Sequence, residues 1–111
     1  MQISTETFGH VLVAHTPDEL TDEHAPALLE ALESPIEKGQ VSIVLQMDHT
    51  EQYDSIGLTS LVELHERLRK AGGNIKVSGL GEPGRKIFEL TRLDQRFDLY
   101  DSVIDAVGSF Q

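Results

Sequence analysis

Three residues in the middle of the chain carry groups that could take part in chemistry. In the stretch YDSIGL, residues 53–58, the carboxylate of Asp54 precedes the hydroxyl of Ser55, and Gly57 follows two residues later. An acid beside a hydroxyl could belong to a hydrolase, but the turn that presents a nucleophilic serine between a strand and a helix has a glycine two residues before it. Tyr53 stands at that position, so the pattern disfavours a hydrolase.

The polar residues around Ser55 are similar to the beginning of a calcium-binding loop. Oxygen-bearing side chains fall at alternate positions, at Asp48, Thr50, Gln52 and Asp54. A calcium loop needs glycine at its sixth position and a bidentate glutamate at its twelfth. Tyr53 and Thr59 occupy these positions, and we therefore expect no calcium site.

A second glycine-containing stretch, GLGEPG at residues 79–84, matches the pattern of dinucleotide-binding loops. Such a site also needs a later parallel strand with an acid for the ribose, and only 27 residues remain after Gly84. Pro83 removes one amide from the turn that would hold the phosphate. We therefore predict an ordinary loop there and no cofactor.

The histidines do not have the spacing of a zinc site on one helix, which places two ligands four residues apart. The chain contains five of them, at His10, His15, His24, His49 and His65. We expect these to be surface residues and predict no bound metal. The absence of cysteine also removes thiolate ligands, disulfides and a cysteine nucleophile.

The composition is that of one globular domain, which we place at residues 1–111. Hydrophobic residues make up 39% of the chain and charged residues 25%. The formal net charge of -10 would repel nucleic acid and anionic lipid surfaces, so a neutral or basic protein is the expected partner. No stretch approaches the roughly 18 apolar residues of a membrane span, and we expect a soluble, cytoplasmic protein without membrane contact.

The hydrophobic patterning predicts alternating strands and helices after an N-terminal hairpin. We assign strands to residues 2–8, 10–16, 40–47, 74–80 and 96–100 and helices to segments starting near residues 26, 55, 83 and 101. The uninterrupted apolar run in QVSIVLQM indicates a central strand buried on both faces. The expected fold class is α/β, a mixed sheet of four to five strands with about four helices packed against it.

The local residue types around Ser55 predict the start of a helix. Asp54 can accept amide hydrogen bonds from the first turn as its N-cap, and Ser55 then points outward from the first helical position. Gly57, without a side chain, leaves room for another surface to approach. From these residues alone, Ser55 either only begins a helix or is recognised by another protein.

Several stretches together resemble the STAS domain of anti-sigma-factor antagonists. The run VSIVLQM followed by YDSIGLTSLVELHERLRKAGG is similar to the family's central strand, its Asp-Ser-(Ser/Thr/Ala)-Gly-Leu motif and its long helix. NIKVSGL and IFELTRLDQRFDLYDSVIDAV are similar to the closing strand-helix units, and HAPALLEAL to the first helix. The resemblance covers nearly the whole chain and implies the STAS fold.

The resemblance implies a partner-switching role in transcription regulation and no enzymatic activity. The unphosphorylated protein would bind an anti-sigma factor that is also a serine kinase, and the kinase would phosphorylate Ser55, with Asp54 and Gly57 as supporting motif residues. A phosphatase would reverse the modification, and ATP would belong to the kinase. The partner surface would comprise the acidic segment and the start of the helix, with Asp18, Glu19, Thr21, Asp22, Glu23, Ile56 and Thr59.

The chain departs from the family pattern at three positions near this surface. Ile56 occupies a position that is usually Ser, Thr or Ala, Thr21 stands where an aspartate is usual, and Gln52 replaces an aromatic or aliphatic residue. An alternative function therefore stays open. The chain could be a non-phosphorylated STAS module that serves as a subunit of a stress-signalling scaffold or a lipid-transport complex.

Overall fold

The computed structural model describes residues 3–110, and a five-stranded mixed sheet forms its centre. The strands of this sheet, in the order in which they lie side by side, are β1 (Thr5–Phe8), β2 (Val11–His15), β4 (Ser42–Gln46), β6 (Asn74–Ser78) and β7 (Asp98–Tyr100). Among the described strands, only the β1–β2 hairpin is antiparallel. The parallel pairs β2–β4, β4–β6 and β6–β7 bring the carboxyl ends of four strands to one edge of the sheet.

Within residues 3–110, four helices pack against the strands. They are α1 (Ala25–Glu37), α2 (Ser55–Lys70), α3 (Glu82–Leu90) and α4 (Val103–Gly108), with a short 3-10 helix, Leu93–Gln95, after α3. Two further strands, β3 (Glu19–Leu20) and β5 (Gln52–Tyr53), pair in parallel as a separate small sheet. None of the helices within residues 3–110 is long and apolar enough to cross a membrane.

Both faces of the sheet are buried at its central strands, but unequally. Leu12 of β2 and Leu45 of β4 belong to the large core under α1, α2 and α3. Val11, Val13 and Val44 point to the other face and pack with Ala106 of the short helix α4. Burial on both faces explains why these strands are uninterrupted apolar runs and not alternating sequences.

The predicted fold class is confirmed, including the central position of the strand in QVSIVLQM. The boundaries differ most near the end of the chain, where one predicted helix over residues 83–93 is divided into α3 and the 3-10 helix. The division occurs at Arg92, whose φ of 65° is incompatible with a continuous right-handed helix. Gln2, the first residue of a predicted strand, lies outside the described residues.

Candidate functional site

The small sheet joins the acidic segment, residues 18–23, to the chain that enters α2. Glu19 of β3 pairs with Gln52 of β5, and Leu20 pairs with Tyr53. The carbonyl oxygen of Asp18 accepts hydrogen bonds from the N–H groups of Glu51, at 2.9 Å, and Gln52, at 3.3 Å. Two segments that are distant in sequence therefore form one surface, and we call their contact at the small sheet the junction.

A buried pair of threonines stabilises this junction through hydrogen bonds. The Thr50 hydroxyl donates to the Pro17 carbonyl at 2.6 Å and lies 2.6 Å from the Thr16 hydroxyl oxygen. Thr50 is 4% exposed and Thr16 is 6% exposed, so water does not compete for these bonds. The bonds hold the loop before β5 against the residues before β3.

The carboxylate of Asp54 binds both sides of the junction. One oxygen, Oδ1, accepts the Gly57 N–H at 2.8 Å as the N-cap of α2, and Oδ2 accepts the Asp22 N–H at 3.0 Å. The Gly57 hydrogen bond, followed by that of Asp22, lowers the pKa of Asp54, because both stabilise the charged form. Asp54 thus keeps the acidic segment in contact with the start of α2.

Gly57 is required by a close contact within the chain itself. A Cβ atom at this position would overlap the backbone carbonyl group of Leu20 in β3. Gly57 does leave room for another surface to approach, as expected, and that surface is the chain's own β3 strand. The glycine is buried and contributes to the site by allowing β3 to lie directly on α2.

The ring of Tyr53 packs beside Gly84, the last glycine of the GLGEPG stretch. A Cβ atom placed on Gly84 would lie 2.7 Å from the Tyr53 hydroxyl and 2.8 Å from Cδ2 of Leu80, so the missing side chain at residue 84 allows both to pack closely against α3. Burial raises the pKa of Tyr53 to about 12. These contacts give Gly84 a packing role.

Ser55, Ile56 and Thr59 are exposed on the first turns of α2. The Ser55 hydroxyl has no hydrogen-bond partner among residues 3–110, whereas the Thr59 hydroxyl donates to the Ser55 carbonyl at 2.8 Å. Ile56 is a large apolar side chain and is 53% exposed. An accessible hydroxyl and an accessible apolar group therefore lie side by side at the positive end of the helix dipole.

The acidic segment lies beside this turn, as its predicted role requires. Asp18, Asp22 and Glu23 are exposed, and Glu19 and Thr21 are half-buried. The structure therefore brings every predicted site residue into the region around the small sheet and the start of α2. Whether these residues bind a partner stays a prediction.

His24 lies behind the acidic segment, close to two of its carboxylates. Its Nδ1 is 3.6 Å from Oε1 of Glu19 and has no hydrogen-bond partner within the described part of the chain, and one ligand atom each from Glu19, Glu23 and His24 falls within 4.8 Å of the others. Exposed acidic groups of this kind occur in many proteins without an ion. The absence of a metal site stays a prediction.

Sequence reasoning missed the small sheet and misplaced one histidine. Two-residue strands are too short for a periodic signal; the available sign was one apolar residue in each polar segment, Leu20 and Tyr53. His65 is 6% exposed and not at the surface as expected, because its ring packs against Phe97 with centroids 4.9 Å apart. His65 lies on the same face of α2 as the buried residues Leu61 and Leu68, and this position in the helical pattern was the available sign of its burial.

The sequence model of the STAS domain family matches residues 2–106 of the chain. This chain belongs to the STAS domain family. No curated protein sequence matched it. Because the match spans nearly all of the sequence, the motif residues of this STAS domain lie in the setting that the resemblance implied.

Solved structures agree with this STAS assignment. An anti-sigma factor antagonist from Mycobacterium paratuberculosis is 28% identical, with a TM-score of 0.84 over 97% of this chain and 92% of that one. A candidate anti-sigma factor antagonist from Thermotoga maritima is 23% identical, with a TM-score of 0.88 over 96% and 92%. The phosphorylated form of the Bacillus cell fate determinant SpoIIAA is 15% identical, with a TM-score of 0.77 over 98% and 99%. The last two likenesses concern the fold alone.

Gly57→Ala should destabilise the STAS domain although alanine is the better helix former. The gain in helix propensity is at most about 1 kcal/mol, whereas overpacking against a backbone group costs roughly 1–3 kcal/mol. Gly108→Ala is the matched control, since a Cβ atom there meets nothing within 4 Å and should not destabilise. Urea unfolding measures both, and a Gly57→Ala protein as stable as wild type would contradict the close contact.

The junction should weaken in acid in a way that depends on Asp54. Since folding lowers the pKa of Asp54 below its usual 3.8, the carboxylate stabilises the fold above that pH and loses this effect as the pH falls through the folded value. Carboxyl-detected NMR should show Asp54 titrating below 3.8, with the Gly57 and Asp22 amide signals moving together. Asp54→Asn should reduce the acid dependence of the unfolding free energy, and an unchanged dependence would contradict this role.

Proposed function

We propose that this STAS domain is an anti-sigma-factor antagonist whose partner is an anti-sigma serine kinase, and that phosphorylation of Ser55 ends the complex. The observation that carries the proposal is the exposed Ser55 hydroxyl, without a partner among residues 3–110, beside the fixed Asp54 N-cap. Kinase access requires such a hydroxyl, and family membership supplies the setting. The anti-sigma factor antagonist from Mycobacterium paratuberculosis supports the same general role.

The proposed interface has an apolar centre with acidic residues around it. Ile56 supplies exposed apolar area next to the acceptor, and the carboxylates of Asp18, Asp22 and Glu23 lie beside it. A partner for this surface would present an apolar pocket surrounded by basic residues. The net charge of -10 favours encounter with such a partner over long distances.

In the proposed modification the STAS domain is a substrate and not a catalyst. The Ser55 oxygen attacks the γ-phosphorus of ATP bound to the kinase, ADP leaves, and a base of the kinase takes the hydroxyl proton. A phosphatase reverses the step by adding water to phosphorus, which restores the hydroxyl and releases inorganic phosphate. No cofactor of this chain is needed for either step.

The phosphate would act on the interface and not on the fold. At the first position of α2 it lies at the positive end of the helix dipole, which favours the added phosphate charge of about -1.5 to -2. Inside a complex, the same charge would lose water and lie next to the carboxylate of Asp54. Like-charge contacts of this kind typically cost several kcal/mol, or on the order of a hundredfold or more in affinity.

Ser55→Ala should keep partner binding and lose all phosphate incorporation, and Ser55→Asp should bind more weakly than wild type. The partner is first captured from native lysate with the wild-type protein, identified and purified, and then incubated with each variant and radiolabelled ATP. Ser34→Ala is the matched control, because it removes an exposed helix hydroxyl on α1, outside the predicted partner surface, and should be phosphorylated normally.

Thermal melts of each variant separate loss of folding from loss of binding. Phosphate incorporation into Ser55→Ala, or wild-type affinity of Ser55→Asp, would contradict the switch. In that case the alternative takes its place, a non-phosphorylated STAS subunit of a stress-signalling scaffold or a lipid-transport complex.

Glu19→Lys and Asp22→Lys should each slow association with the kinase several-fold and reduce its dependence on salt. Charges at an interface edge act mainly on encounter, and neither change removes the Asp22 backbone N–H that binds Asp54. Glu37→Lys is the control, since it makes the same change at the far end of α1, about 18 Å along the helix. Stopped-flow mixing at several salt concentrations measures the association rates. If the rate depends on salt equally in wild type and in all three variants, the interface lies elsewhere.

A further inference from the structure

The end of α2 that is remote from Ser55 contributes to a cleft lined by cationic side chains. The cleft has a volume of about 410 Å³, and its lining residues are His65, Glu66, Arg69, Arg92, Gln95 and Arg96. We propose that it binds a small phosphorylated anion with at least two negative charges, of the size of pyrophosphate. This proposal is independent of the proposed partner switch.

The charge distribution favours an anion at this place. The whole chain has nine lysines and arginines against nineteen acids, yet three of the arginines converge on this one cleft. Arginine presents planar pairs of N–H donors that match the oxygens of a phosphate. The cleft is therefore positively charged, although the net charge of the chain is negative.

Arg92 occupies a backbone position that glycine would occupy with less strain. It follows the C-cap of α3, Thr91, and its φ of 65° lies in the left-handed region, where glycine is the usual residue at a helix end. The chain has a long cationic side chain there instead. Helix termination alone does not account for this choice, whereas a role in the cleft does.

One of the cationic groups is already positioned by its neighbours. Nη1 of Arg96 lies 3.2 Å from a carboxylate oxygen of Glu66 and 3.4 Å from Nδ1 of His65. Burial, and then the charges of Arg96 and Arg69, lower the pKa of His65, although Glu66 and Asp98 act in the opposite direction. The cleft keeps a net positive charge, because its three arginines face the single carboxylate of Glu66.

The lining residues also limit the class of ligand. All six are polar or charged, and the ring of His65 is already packed against Phe97. A nucleobase would find no free aromatic or apolar face on which to stack. This argues for a phosphate or diphosphate group without a base.

The cleft is separate from the surface around Ser55. Ser55 begins α2, and His65 and Arg69 lie ten and fourteen residues further along the same helix. At a rise of 1.5 Å per residue, this separates the two sites by roughly 15–20 Å. Anion binding can therefore be measured without the kinase partner.

Titration calorimetry of the full chain with inorganic pyrophosphate at low salt tests the proposal. We expect one saturable site per chain with a dissociation constant below about 1 mM, on the scale of a few charge-assisted contacts. Arg92→Gly should weaken binding about tenfold or more without lowering the melting temperature, because glycine suits the backbone better. Glu66→Gln should strengthen binding, since it removes the competing carboxylate, and Lys86→Gln, outside the cleft, should leave it unchanged.

An NMR titration gives a second measurement that does not depend on stability. Bound pyrophosphate should raise the pKa of His65 by offsetting the charges of Arg69 and Arg96. The proposal is overturned if no saturable binding occurs, or if Lys86→Gln weakens binding as much as Arg92→Gly. Tighter binding of ATP than of pyrophosphate would mean that a base is recognised, and tighter binding of a phosphoserine hexapeptide would mean a protein ligand; either result also overturns it.

Discussion

The hydrogen bonds of the Asp54 carboxylate hold together two parts of the chain that are 32 residues apart in sequence, at Asp22 and at the start of α2. Without this connection, the two-residue strands β3 and β5 would have little reason to pair, because isolated short strands are not stable. The close contact of Gly57 with Leu20 acts in the same place. The surface around Ser55 depends on both.

This arrangement divides the motif into structural and accessible residues. Asp54 and Gly57 are occupied within the chain, one by amide hydrogen bonds and the other by close packing. Ser55 and Ile56 between them remain exposed. A phosphate on Ser55 would therefore change the charge of an exposed surface and would not break a side-chain contact of the fold.

Helix α2 carries opposite local charge at its two ends. The acidic segment lies beside its N-terminus, and its last turn contains Arg67, Arg69 and Lys70. Cations near a helix C-terminus are favoured by the helix dipole, and Arg92 and Arg96 add to them from the neighbouring elements. The net charge of -10 conceals this separation, which only the folded structure makes visible.

The sequence alone determined the fold class, the central strand and the start of α2, because buried apolar runs and capping residues are local signals. It also identified Asp54, Ser55 and Gly57 as the motif. The reason for Gly57, the burial of His65 and the convergence of Arg69 with Arg92 were decided only by the tertiary structure. Each of these depends on a contact between residues distant in the chain, and such contacts leave no periodic pattern in the sequence.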